Sequence, residues 1–167
     1  MTKLLLSRLF GILKLSVYLG IIVTDDDHQN VTASGWNGDA AQIIVEPTGE
    51  RKPENDHFRY NFTLGNDGTL TVNNEKAVGQ GLKQDHVTIA RDGLTTIYEI
   101  MFPSSEFGLA KFEDGMSLGL GICVNDGDGT RSIRPKRLER MVYPCCGLRE
   151  KPREYRAGSN GFSQNHR

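Results

Sequence analysis

Short apolar runs, broken by turn residues at nearly regular intervals, constrain this chain more than any other feature. Ser16–Thr24, Ala40–Glu46, Phe58–Leu64, Thr69–Val72, His86–Ala90, Thr95–Phe102 and Met116–Val124 all have strand length, and Thr95–Phe102 is especially rich in β-branched and aromatic residues. Between them stand Asn37-Gly38, Pro47-Thr48-Gly49, Gly65-Asn66-Asp67-Gly68, Arg91-Asp92-Gly93 and Asp114-Gly115. Gly and Asn tolerate the positive φ of tight turns, so Phe62-Thr63-Leu64 and Leu70-Thr71-Val72 read as the arms of a hairpin. Thr95–Phe102 stops at Pro103, which has no N–H to give a ladder. Only Ser104–Leu109 reads as helical, a single short turn capped by Ser104 or Ser105. The pattern predicts an all-β chain, an antiparallel β-sandwich of jelly-roll-like character with at most that one turn near 104–109.

The 167 residues suffice for one domain and a tail. Twenty Lys+Arg against 21 Asp+Glu leave a formal charge of −1, which points to neither nucleic acid nor an anionic membrane. The three cysteines, Cys123 and the adjacent Cys145 and Cys146, form no disulfide framework. Together with His28, His57, His86 and His166 they show no zinc-ligand spacing.

Both ends differ in character from the middle. Lys3, Arg8 and the apolar stretch Leu9–Val23 imitate a signal peptide, but Lys14 interrupts it and no small-residue cleavage site follows. Val17, Leu19, Ile21 and Val23 alternate as in a strand, and no segment is apolar enough to span a bilayer. After Arg131 the chain turns basic, with Arg134, Lys136, Arg137 and Arg140 close together and little periodicity. The expected organisation is an unreliable segment 1–15, a sandwich over 16–130, and a disordered or out-of-frame tail over 131–167.

Four segments carry a resemblance. They are Tyr18-Leu19-Gly20-Ile21-Ile22-Val23-Thr24-Asp25-Asp26, Trp36-Asn37-Gly38-Asp39-Ala40-Ala41-Gln42-Ile43, Thr96–Pro103 with the Ser105–Leu109 turn behind it, and Leu118–Gly129. Their order and spacing over residues 16 to 129 resemble the family 9 carbohydrate-binding modules. The resemblance implies a non-catalytic sugar-binding domain, exported, attached to a glycoside hydrolase catalytic domain in a polysaccharide-degrading system. It also implies calcium in some members. It casts the first segment as an edge strand. Two departures stand out: Trp36 is the single tryptophan, and no last strand is recognisable. Back-translated from Lys136 and shifted one base forward, the Met141–Val142 junction compels a tryptophan, and the codons permit GWSGW across Arg137–Val142. That string resembles the family's aromatic closing segment, so the resemblance carries with it a damaged or frameshifted C-terminus.

Two candidate sites follow. Trp36 sits in a polar turn, where an aromatic face suits a sugar ring's axial C–H groups and the amides of Asn37 and Gln42 suit its hydroxyls. Asp25, Asp26, Asp39, Asn125, Asp126 and Asp128 offer the hard oxygens that calcium takes. The closing Glu of an EF-hand would fall on Arg137, which excludes that motif. Glu46 and Glu99 are the nearest thing to a glycosidase pair, though 21 acidic residues always allow some pair to be chosen. Asn30-Val31-Thr32 and Asn61-Phe62-Thr63 are glycosylation sequons. A haem-binding or redox sandwich would need axial Met or His ligands, and Met101, Met116 and His86 show no such arrangement. A purely structural sandwich that makes protein contacts is the remaining alternative.

Overall fold

A computed structural model describes residues 3–31, 35–47, 58–77, 80–127 and 138–144. Nine strands run in chain order: β1 (Lys3–Leu13), β2 (Ser16–Thr24), β3 (Ala40–Glu46), β4 (Phe58–Leu64), β5 (Leu70–Lys76), β6 (Val87–Asp92), β7 (Thr95–Pro103), β8 (Ser117–Asn125) and β9 (Leu138–Pro144). They form a four-stranded sheet, β1-β2-β7-β6, and a five-stranded sheet, β5-β4-β3-β8-β9. Every pairing is antiparallel. The expected helical turn is the 3-10 turn Ser104–Phe107, closed by Gly108 at φ 69°; a second 3-10 turn spans Gln84–His86.

Period-two alternation decides which side of each strand is buried. Val17, Leu19, Ile21 and Val23 of β2 and Tyr98, Ile100 and Phe102 of β7 face Ala41, Ile43 and Val45 of β3, Tyr60 and Phe62 of β4, and Leu118, Leu120, Ile122 and Val124 of β8. Tyr60 meets Phe102 edge to face at 5.4 Å between ring centroids, a contact that joins the two sheets across the core. Truncating a buried aromatic of this kind, Phe62 for example, costs about 3–5 kcal/mol.

Three expectations are corrected. The Tyr18–Asp26 segment is not an edge: β2 lies between β1 and β7. A last strand does exist, because the in-frame residues Leu138–Pro144 pair with β8, setting Leu120 opposite Met141 and Leu118 opposite Tyr143. Hydrogen bonding along β8 recruits this segment, and that pairing leaves little trace in composition. Residues 3–13, inside the segment judged unreliable, pair with β2. Two strands therefore lie beyond the 16–130 boundaries, and the remainder of the basic tail, 131–137 and 145–167, falls outside the described residues.

Candidate functional site

On the five-stranded sheet the face turned away from the core is polar. Gly119 and Gly121 of β8 share that face with Glu46 and Ile44 of β3, since a Cβ added at either glycine would meet them at 3.2 and 3.5 Å. By alternation Gln42, Asn61, Thr63, Cys123 and Asn125 stand on the same face. All five are buried, because the segment around Gly35 lies across them. Gly35 packs so closely that an added Cβ would fall 2.6 Å from that of Asn61. Its carbonyl accepts from Asn125 Nδ2 at 2.5 Å and from Gln42 Nε2 at 3.4 Å.

This anchoring projects Trp36 outward. Its indole is 47% exposed, high for a tryptophan, and its Nε1–H donates to Glu75 Oε1 at 2.5 Å. Asn61 Nδ2 donates to the same oxygen, and Arg59 Nη1 lies 3.6 Å from Oε2. Glu75 owes its position to a register break. Arg59 pairs with Lys76 and Tyr60 with Asn74, which leaves Glu75 as the extra residue of a β-bulge. Bulges re-aim side chains, and this one turns Glu75 towards Trp36. Of the residues expected to touch sugar, Trp36 and Asn37 are exposed, whereas Gln42 is buried beneath the segment and holds it from below. Sequence reasoning missed Arg59, Asn61 and Glu75, since neither a bulge nor a contact 39 residues away is visible in a local pattern.

The acidic residues divide. Asp25 and Asp39 converge, and His28 joins them: one ligand atom from each lies within 4.8 Å of the others. Asp39 Oδ2 accepts from the Gln29 N–H at 2.5 Å and Oδ1 from the Gly127 N–H at 2.9 Å. Burial pushes the Asp39 carboxyl above the usual range, while the two backbone donors pull the other way. Arg91 closes the cluster on one side, its guanidinium donating to the Asp25 carbonyl at 2.9 Å and to Thr96 Oγ1 at 2.9 Å. Asp126 is buried beside Gly127; Asp26 is exposed; Asn125 turns to Gly35; Asp128 lies outside the described residues.

Other candidates lose their chemistry. Glu46 and Glu99 sit on β3 and β7, in different sheets, and face away from the shared core, so they cannot flank one glycosidic bond. Asn30 and Asn61 of the sequons are 1% and 0% exposed, which denies the folded chain to a glycan at either. Among the described residues no helix is long and apolar enough to cross a membrane.

Comparison with known proteins follows the same lines. No curated protein matches the chain. Two solved structures of a family 9 carbohydrate-binding module from Caldicellulosiruptor kristjanssonii are similar to it, each at 13% identity and a TM-score of 0.49. The complex with cellotriose aligns over 77% of this chain and 59% of its own, the complex with glucose over 83% and 76%. The chain thus spans less than two thirds of the first of these structures. The model of the carbohydrate family 9 binding domain-like family matches residues 14–139, three quarters of the chain, and the chain belongs to that family.

Proposed function

We propose that this protein is a non-catalytic carbohydrate-binding module whose sugar platform is the Trp36 face of the five-stranded sheet, exported in the service of a polysaccharide-degrading glycoside hydrolase. The observation that carries the reading is the held yet exposed indole: Trp36 is anchored from behind through Gly35 and pinned at its edge by Glu75. A tryptophan 47% exposed on a polar surface gains little from water, and the Glu75 hydrogen bond at its edge holds the ring in one orientation. A pyranose ring stacks its C–H groups on such a face, while the neighbouring carboxylate, guanidinium and amides suit its hydroxyls. Prior fixing of the ring reduces the ordering cost of binding.

Trp36 is the single tryptophan, so its fluorescence reports on the site directly. Titration with cello-, xylo- and manno-oligosaccharides should change that emission saturably, with matching heats by calorimetry. Trp36→Ala should lose binding and keep its unfolding midpoint. A folded native chain that binds no member of a broad glycan array would sink the proposal.

A further inference from the structure

Beside the Trp36 platform the β4–β5 register brings two cations together. Arg59 of β4 stands opposite Lys76 of β5, with Glu75 bulged out next to the pair. Like charges set directly opposite one another across a ladder repel. Glu75 answers one of them, its Oε2 lying 3.6 Å from Arg59 Nη1. Lys76, exposed at the end of β5, adds the second positive charge. A further acid of this face, Glu46, is buried over Gly119 of β8, on the side of β3 away from β4. The formal charge of −1 for the whole chain hides this arrangement.

Glu75 has little left to give a ligand. Its Oε1 accepts from Trp36 Nε1 and from Asn61 Nδ2, and its Oε2 faces the guanidinium. Arg59 is in the reverse position. Its side chain is 44% exposed, and at 3.6 Å its contact with Glu75 is an ion pair too long for a hydrogen bond. The pairing therefore sets the guanidinium in place without engaging its N–H donors on that oxygen. A guanidinium presents those donors as a planar fork, which matches the two oxygens of a carboxylate.

The indole and the guanidinium are partners of the same Glu75 carboxylate, so the fork lies within a sugar ring's reach of the stacking face. A pyranose stacked on Trp36 points its ring substituents sideways towards that rim. A neutral hexose carries a hydroxymethyl group there, and a hexuronose carries a carboxylate. We propose, on the reading that Trp36 is the sugar platform, that its ligand is an acidic sugar: a hexuronosyl residue stacks on the indole and places its carboxylate on Arg59 and Lys76. Glu75 then holds the ring and the guanidinium in position, its own charge matched by Arg59, while Lys76 sets the sign of what approaches.

The test uses the full 167-residue chain and two oligosaccharides, a trigalacturonide and a xylo-oligosaccharide with a glucuronosyl branch. Each is compared with the same molecule after its carboxyl groups have been reduced to alcohols. Calorimetry and Trp36 emission should show the acidic form of at least one pair bound about fivefold more tightly at low salt, the upper end for an exposed ion pair. That advantage should shrink as salt is raised. Arg59→Gln should bring the ratio of acidic to reduced affinity close to one, whatever it does to either affinity. Glu75→Gln removes the negative charge beside Arg59 and should raise the ratio, a direction that lost positioning alone does not give. Equal affinity of the native chain for acidic and reduced forms in both pairs would overturn the proposal and leave the platform standing. Binding of no form by the folded chain would overturn the platform reading and this inference with it. A sulfated xylo-oligosaccharide bound more tightly than either uronate would overturn the carboxylate in favour of a sulfate ester.

Discussion

Trp36 and Glu75 lie 39 residues apart in the chain and share a 2.5 Å hydrogen bond from the indole N–H to Oε1. The pair makes Glu75 a positioning residue for the ring. Glu75→Ala should free the indole edge and lower sugar affinity about tenfold, equivalent to about 1.4 kcal/mol. Glu75→Gln keeps an acceptor and should recover much of the loss. Calorimetry of both variants, with unfolding midpoints as a control, checks this; equal affinities for Glu75→Ala and native protein would remove Glu75 from the site.

In the core, Tyr60 donates to Glu106 Oε1 at 2.7 Å, and the Gly81 N–H donates to Oε2 at 3.0 Å. Tyr60→Phe leaves a buried carboxylate short of one donor, at a cost of about 1–3 kcal/mol in denaturant melts. A loss below 0.5 kcal/mol would mean that water replaces the hydroxyl.

Tyr60 and Tyr98, both buried, also set the alkaline limit. Burial first, then the Glu106 hydrogen bond and charge, push the Tyr60 phenol well above its ordinary value; burial does the same for Tyr98. Above pH about 10 the unfolded chain releases these protons and the folded chain retains them, so unfolding gains. Stability should hold below pH 10 and fall steadily above it, with tyrosinate absorbance from these residues appearing only with unfolding. Tyr98→Phe should reduce the slope; an unchanged slope would assign the alkaline loss to other groups.

Gly38→Ala should disturb both sites together. Its new methyl would press on the Gln29 carbonyl and part the segments around Asp39, costing about 1–3 kcal/mol by overpacking. Gly93→Ala, where nothing lies within 4 Å but φ is +54°, is the control that carries backbone strain alone. Denaturant melts and oligosaccharide titration of both variants make the comparison, and only Gly38→Ala should lower sugar affinity.

β9 covers one side of β8. Ending the chain after Gly127 would leave Ser117–Asn125 as an unpaired, apolar edge, and such edges template association. Light scattering should report oligomers for the shortened chain; a monomer would show that β8 is protected in some other way.

Much of this was legible in the sequence. The alternation in Ser16–Thr24 and the turn residues bounding Ala40–Glu46 and Phe58–Leu64 place those strands with their observed limits, because pleat, burial and turn chemistry are local and repeat every two residues. β1 and β9 escaped because Lys3–Leu13 imitates a leader peptide and Leu138–Pro144 lies in a basic run. What made them strands was an available edge on β2 and β8.

For the sites, the sequence by itself determined which residue types were available: one tryptophan in a polar turn and carboxylates at strand ends. Tertiary structure decided which of them meet. A one-residue bulge in β5 aims Glu75 at Trp36, the Gly35 carbonyl draws Asn125 and Gln42 beneath the platform, and the Leu64 carbonyl turns His28 towards Asp25 and Asp39. Each depends on a hydrogen bond between residues that are distant in sequence or on a register break, and neither has a period that a local pattern can carry.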